Sequence, residues 1–535
     1  MAALVTLPGL WVGTLWDNSE TAYGEVAREI LLTHDWVVMH LNGVPYFVQP
    51  PLYFWLGAAF ALLFGTTTFA LRLPSALATI ALGALTGYAA ARQAGTRVGV
   101  YSGVILSTCL MQAVIGRLAI MDALLDLAVA MTIFWWFRAL QTGQDRYALY
   151  GWIAAGAGFL AKGLVAPVVA LIVVVPFYLW NRRAESMKPL AVRGWLGGAL
   201  AFAAIALPWP LALVAQYHVL PLEKLIGEYT IGRYTGVIEN QSGPIWYYLP
   251  VLILGFFPWI AFLPMALVYA LRQLRAVPAD PDLARLVRLA FVWIVAPLLF
   301  FSFARTKLPN YVALELPALA LLTAIYFDAV VRKGGTRSAV VSAATVPFTI
   351  GALAFAIAVF TRTNRLTAEV EQAVPPLAGM GLAIFVGSLL TALLVARAKT
   401  AGAAPYALSL AVLVAVDVVA VRVLPQAEAF KPIPRLAARI ERDRKPGDVV
   451  AIQNVSGGNA LLFYTRPVVQ VLAARGARDP QADGVDARAF ICGAPRAWVV
   501  VPAARDDDAA YGRRVHVVAV DRKAALLLFD GPPCR

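Results

Sequence analysis

The chain has 535 residues, 60% of them hydrophobic and 14% charged, with a formal net charge of +14 and a mean hydropathy of +0.71. Soluble domains are roughly 45–50% apolar and about 25% charged, so a chain this apolar cannot cover a water-facing surface with polar groups. Nor does the positive charge mark a nucleic-acid surface: its Arg and Lys residues sit in short loops between apolar runs, where membrane topology requires them.

In chain order, residues 1–16 form a short apolar run. It has neither a charged leading region nor a small-residue cleavage site, and therefore reads as a first span rather than a signal peptide. A polar loop follows, and then residues 52–65, apolar but short and preceded by Pro50-Pro51, read as a helix lying at the interface. Further spans are expected at about 70–92, 98–116, 121–141, 147–161, 163–181, 194–215, 246–271, 286–304, 309–331, 338–361, 376–396 and 404–424. This makes thirteen with the first run. The basic loops at Arg92 and Arg97, Arg138 and Arg146, Arg182 to Arg193, Arg272 to Arg288, Arg332 to Arg337, and Arg397 with Lys399 fall on one side only if 52–65 does not cross. The N-terminus is then cytoplasmic and the C-terminus outside. From 426 to 535 the composition turns polar, with β-like runs at 449–453, 467–472, 498–502, 515–521 and 526–529. The expected architecture is an all-α polytopic domain over 1–425 and a small extracytoplasmic α/β domain over 426–535. Cys492 and Cys534 either pair there or stay as thiols.

The outer face then collects the chemistry: the 17–51 loop, Asp122, Lys162, the 216–245 loop, Arg305 with Lys307, and the tail. Asp17, Glu20 and Glu25 cluster just past a span, where a capped interfacial helix and a catalytic loop look alike. Cations at an outer membrane surface break the topological rule at Arg305 and Lys307, which makes them functional candidates. Lys162 and Arg233 join them, although snorkelling explains a lone Lys equally well. His34 and His218 are isolated, so no metal site is expected from spacing.

Seven blocks in one order resemble a known family. They are Glu20-x-x-Tyr23-x-Glu25-x-Ala27-Arg28-Glu29; Asp35-Trp36-Val37-Val38-x-His40-Leu41; Gly43-x-x-Tyr46-Phe47-x-x-Pro50; Ala161-Lys162-Gly163; Leu207-Pro208-Trp209; Pro244-x-Trp246-Tyr247-Tyr248 with Pro258-Trp259; and Lys307-Leu308-Pro309-x-Tyr311. The chain is similar in these to the bacterial lipid A aminoarabinose transferases and protein O-mannosyltransferases, integral membrane glycosyltransferases of the GT-C class. The resemblance implies inverting transfer of a sugar from a polyprenyl-phosphate donor, such as undecaprenyl phosphate, to a lipid, glycan or protein acceptor at the periplasmic face of a bacterial inner membrane. It implies an acidic residue of the first loop as base, and no nucleotide. A divalent cation bridging a carboxylate and the donor phosphate fits such chemistry, although no ligand set is dedicated to it.

The chain departs from that pattern at two places. The family's Asp before Glu20 is Ser19 here, and its Glu-Lys before Pro50 is Val48-Gln49. Asp122 is retained. The base is accordingly expected at Glu20 or Asp17 with Asp122 in support, and the donor at Lys162, Arg233, Arg305, Lys307, Tyr46, Gln49 and Tyr311. Two other function classes compete. A transporter would need inverted repeats or paired broken helices, which the sequence lacks. A non-catalytic assembly subunit would account for the two departures.

Overall fold

The structure is a computed structural model describing the chain apart from residues 17–18, 183–186, 189–191, 239–240, 276–279, 347–348, 351–352, 354–367, 456–457, 466–467, 473–484, 504–513 and 532–535. Asp17, Cys534 and half of the span expected at 338–361 lie outside the described residues. The chain is mostly helical. It forms two compact units, one of residues 1–10, 47–56 and 72–423, the other of residues 11–46, 57–71 and 424–535. The second unit thus takes in the first loop as well as the polar tail.

In the first unit the apolar runs become helices of unequal length. Six among the described residues are long and apolar enough to cross a membrane: Thr68–Ala94, Asp122–Thr142, Pro281–Phe303, Pro309–Arg332, Pro375–Val395 and Ala401–Ala427. Gly194–Ala206 and Pro208–Tyr217, bent by 47°, add a seventh if they cross together. The run read as one span over 98–116 breaks into Thr96–Ser107 and Leu110–Ile115. Thr108 at that break donates its hydroxyl to the Val104 carbonyl and accepts the Trp259 indole N–H at 3.1 Å. The run over 246–271 likewise divides into Tyr248–Gly255, a 3-10 turn at Trp259–Ala261, and Leu263–Arg275. Residues 1–16 contain one short helix, Ala2–Thr6.

Close packing in this unit relies on small residues, as expected where lipid supplies no hydrophobic drive between helices. Thr68–Ala94 and Thr96–Ser107 meet backbone to backbone: a Cβ on Gly87 would stand 3.0 Å from the Gly99 carbonyl, and one on Gly103 3.0 Å from that of Gly83. Asp122–Thr142 and Asp145–Lys162 form a hairpin, turned by Gly143 at φ 69°. The guanidinium of Arg117 straps the unit together. It donates to the carbonyls of Val5 and Pro8, the latter at 2.6 Å, and lies 3.3 Å from Asp417 Oδ1.

The second unit holds a five-stranded sheet in the order Val469–Val471, Val449–Ile452, Ala497–Pro502, Ala524–Asp530, Arg514–Asp521. The first three strands are parallel and the last two antiparallel. The final strand pairs with Arg514–Asp521 as its sequence suggests, but inserts between that strand and Ala497–Pro502 rather than forming the edge. Asn42, at φ 58°, exchanges two hydrogen bonds with the Val469 backbone, at 2.7 and 3.0 Å. Glu428 accepts from the Thr14 hydroxyl and from Lys431, whose ammonium lies 3.8 Å from the Trp16 ring centroid.

Glu25 and Arg28, both buried, form an ion pair on the helix Glu20–Thr33. Burial pushes the Glu25 carboxyl up to about 7, against the pull of Arg28. The native state then holds a proton that the unfolded chain has released above its ordinary value of 4.5. The native state is the one binding more protons, so stability falls as pH rises from about 4.5 to about 7. Thermal unfolding followed across that window should show this decline, and Glu25→Gln should flatten it; a wild-type stability that rises over the same window would contradict it.

Candidate active site

Within the first unit, charge converges on one cavity. Asp122 is the first residue of the helix Asp122–Thr142, where the N-terminal dipole favours an anion. Lys162 is the last residue of Asp145–Lys162, so the hairpin returns it to the level of Asp122. Lys162 Nζ lies 2.6 Å from Asp122 Oδ1, and the Asn310 amide donates to the same oxygen at 2.5 Å. Both charged side chains are nearly buried, at 13% and 9% exposure. The Lys162 ammonium also lies 5.7 Å from the Tyr311 ring centroid.

The cavity is lined by Gln49, Asp122, Lys162, Tyr229, Thr230, Arg233, Asn310 and Tyr311, with apolar walls that include Val48, Leu125 and Phe301. Arg233 closes one side, its guanidinium 5.2 Å from the Tyr229 ring centroid. It follows a ten-residue π-helix, Glu223–Gly232, a wide-turned form frequent at functional sites. Two backbone bonds hold this segment to the bend before Pro309: Arg305 N–H to Tyr234 O at 2.9 Å and Thr306 N–H to Arg233 O at 3.0 Å.

Of the residues expected at the donor, Lys162, Arg233, Gln49 and Tyr311 line this cavity together. Lys307 is turned elsewhere: its buried ammonium donates to the carbonyls of Ser302 at 2.7 Å and Ala304 at 2.9 Å, capping the helix Pro281–Phe303. The expected donor-phosphate role therefore does not suit Lys307 as placed, because the helix end consumes its donors. Arg305 is exposed and does not line the cavity. Tyr46 belongs to the second unit and donates its N–H to Met39 O at 2.8 Å. Glu20, also in the second unit, is buried and accepts the Trp16 N–H at 2.8 Å. Sequence reasoning passed over Asn310, Tyr229 and Thr230. Asn310 sits between Pro309 and Tyr311 in the last matching block, and a carboxylate in need of a neutral donor was the available signal. Glu315 is fully buried, with neither oxygen hydrogen-bonded among the described residues.

The arrangement balances one anion against two cations beside aromatic faces, in a site largely removed from water. Breaking a buried pair from one side leaves an uncompensated charge, which costs about 3–5 kcal/mol. Lys162→Gln should therefore lower thermal stability in detergent sharply, and adding Asp122→Asn should restore much of it. Equal melting of the single and double variants would show that the pair is not coupled.

Residues 48–209 match the family described as dolichyl-phosphate-mannose-protein mannosyltransferase. The chain is 33% identical over 318 residues to an undecaprenyl phosphate-alpha-4-amino-4-deoxy-L-arabinose arabinosyl transferase 2 of Proteus mirabilis, covering 58% of this chain and 55% of that protein. It is 33% identical over 342 residues to the corresponding transferase of Edwardsiella ictaluri, covering 62% and 58%. The chain thus matches little more than half the length of these relatives. In three dimensions it is similar to the crystal structure of ArnT from Cupriavidus metallidurans bound to undecaprenyl phosphate, with a TM-score of 0.81 at 22% identity over 98% of this chain and 96% of that one. The chain therefore has the fold of ArnT, and its residues 48–209, which include Gln49, Asp122 and Lys162, carry the pattern of the dolichyl-phosphate-mannose-protein mannosyltransferases.

Proposed function

We propose that the chain is a membrane glycosyltransferase that moves a sugar from a polyprenyl-phosphate donor to a lipid acceptor. The observation that carries this reading is the convergence of Lys162, Arg233, Asp122 and Tyr311 on one cavity. A glycosyl phosphodiester breaks at the anomeric carbon and leaves a lipid phosphate whose charge grows in the transition state. Fixed cations in a water-poor site stabilise that charge at no reorganisation cost. Lys162 and Arg233 are placed for it, and Tyr229 and Tyr311 offer ring faces to the sugar or the first isoprene. Side chains supply both the leaving-group stabilisation and the base, so the reaction as proposed needs no cofactor.

The base is the first-loop carboxylate of Glu20 or Asp17. Asp122 suits it less, because Lys162 and Asn310 already hold Oδ1; its role is to position Lys162. Likeness to the arabinosyl transferases supports an undecaprenyl-phosphate donor carrying an amino sugar, with a lipid A-like acceptor. Glu20→Gln keeps an acceptor for the Trp16 N–H and removes only the charge. The amide variant of whichever residue is the base should lower kcat by about 10²–10⁴-fold with donor binding intact. If both Glu20→Gln and Asp17→Asn transfer sugar at the wild-type rate, the base lies elsewhere.

The chain crosses a bacterial inner membrane thirteen times, with its N-terminus in the cytoplasm and residues 426–535 as a periplasmic α/β domain. The one-sided distribution of basic loops supports this count. Alkaline phosphatase fused after residue 535 should be active in cells; activity of a cytoplasmic reporter at that position would reverse the topology.

A further inference from the structure

The hairpin of Asp122–Thr142 and Asp145–Lys162 carries a second concave site on its other face, running from Leu124 to Trp135. A groove of about 370 Å³ runs along the two helices between Leu124, Ala128 and Met131 on one side and Ile153 and Ala154 on the other. On the helical wheel these positions lie on a different face from Asp122 and Lys162, so the groove is not an extension of the polar cavity. It ends at Trp135, which lines it and also stacks on Tyr147 at 5.6 Å and 9°.

Tyr147 is where charge gathers. The guanidinium of Arg146 lies 4.9 Å from its ring centroid and donates to its hydroxyl at 3.3 Å, and that of Arg138 lies 5.8 Å from the same centroid. Neither arginine forms an ion pair with a carboxylate among the described residues, and Asp145, the nearest acid in sequence, turns its carboxylate toward Gly194. Two guanidiniums gathered on one tyrosine, with Arg146 exposed and Arg138 half-buried, make the end of the groove locally positive and favour an anion there. An apolar groove, an aromatic stack at its end and two arginines beyond it have the order of an acyl chain, glycerol and phosphate.

We propose that this site binds an anionic glycerophospholipid, its phosphate on Arg138 and Arg146 and one acyl chain in the groove beside Ala154. Arg138 lies sixteen residues along the helix from Asp122, about 24 Å at 1.5 Å per residue, so the lipid occupies the leaflet opposite the polar cavity. The site is independent of the proposed transfer reaction and is tested without it.

Native mass spectrometry of the full chain in mild detergent, titrated with phosphatidylglycerol or phosphatidylcholine of identical acyl chains, reads the affinities directly. Wild type should bind one phosphatidylglycerol at least about tenfold more tightly than phosphatidylcholine, with the preference shrinking as salt is raised. The double variant Arg138→Gln with Arg146→Gln should lose about thirtyfold for phosphatidylglycerol and little for phosphatidylcholine. The corresponding Lys pair should keep most of the preference, and Ala154→Phe should weaken both lipids alike. No preference in wild type, a preference that survives the Gln pair, or an Ala154→Phe variant that binds both lipids as wild type does would each overturn the proposal.

Discussion

A carboxylate and an ammonium held together out of water set the terms for the first unit. Burying either Asp122 or Lys162 alone would be costly, since the desolvation cost falls on each unless its partner and its hydrogen bonds are in place. The pair therefore demands a hairpin whose two ends meet, a helix N-terminus under the acid, and a neutral donor from elsewhere, which Asn310 provides. Gly143 at the turn, and small residues where helices approach, follow from that demand as much as from membrane packing. Asp122 and Lys162 thus line the cavity as a pair, and Arg233 lines it beside them.

Arg233 owes its place to a different device. A π-helix carries its hydrogen bonds from i to i+5, so a ten-residue stretch of it turns its side chains by a different angle from an α-helix of the same length. Leu225, Tyr229 and Thr230 from that stretch face the cavity together with Arg233. The backbone bonds from Arg305 and Thr306 to Tyr234 and Arg233 then hold the end of the segment. Arg305 thus contributes through its main chain, although its side chain is what draws notice in the sequence.

Much of the helical skeleton was legible because apolar runs and basic loops report span and side directly, and Asp122 and Lys162 were legible because each stands alone at the end of an apolar run. The breaks at Thr108 and around Trp259 were not. Apolar character continues through them, and a bend inside a hydrophobic environment leaves no polar mark. Lys307 misled for a related reason: a cation just past a helix end reads the same whether it serves a ligand or the helix's own carbonyls, and only the geometry at Ser302 and Ala304 separates the two. Strands of the tail were readable from short β-branched runs, whereas the placing of Ala524–Asp530 inside the sheet depends on pairings that local pattern does not encode. The pairing of Arg117 with Asp417, 300 residues away, is likewise beyond any local pattern.

That separation bears on how the protein is made. Arg117 lies five residues before Asp122, and its guanidinium is satisfied by Val5 and Pro8, more than a hundred residues upstream, and by Asp417, 300 residues downstream. During synthesis the early carbonyls are available at once, but the countercharge arrives only when nearly the whole membrane unit has been inserted. Until then the segment ahead of Asp122 carries a cation without that countercharge. The ion pair that fixes the stretch ahead of Asp122 can thus close only once the helix carrying Asp417 is in place, and a chain cut short before that helix would lack its countercharge.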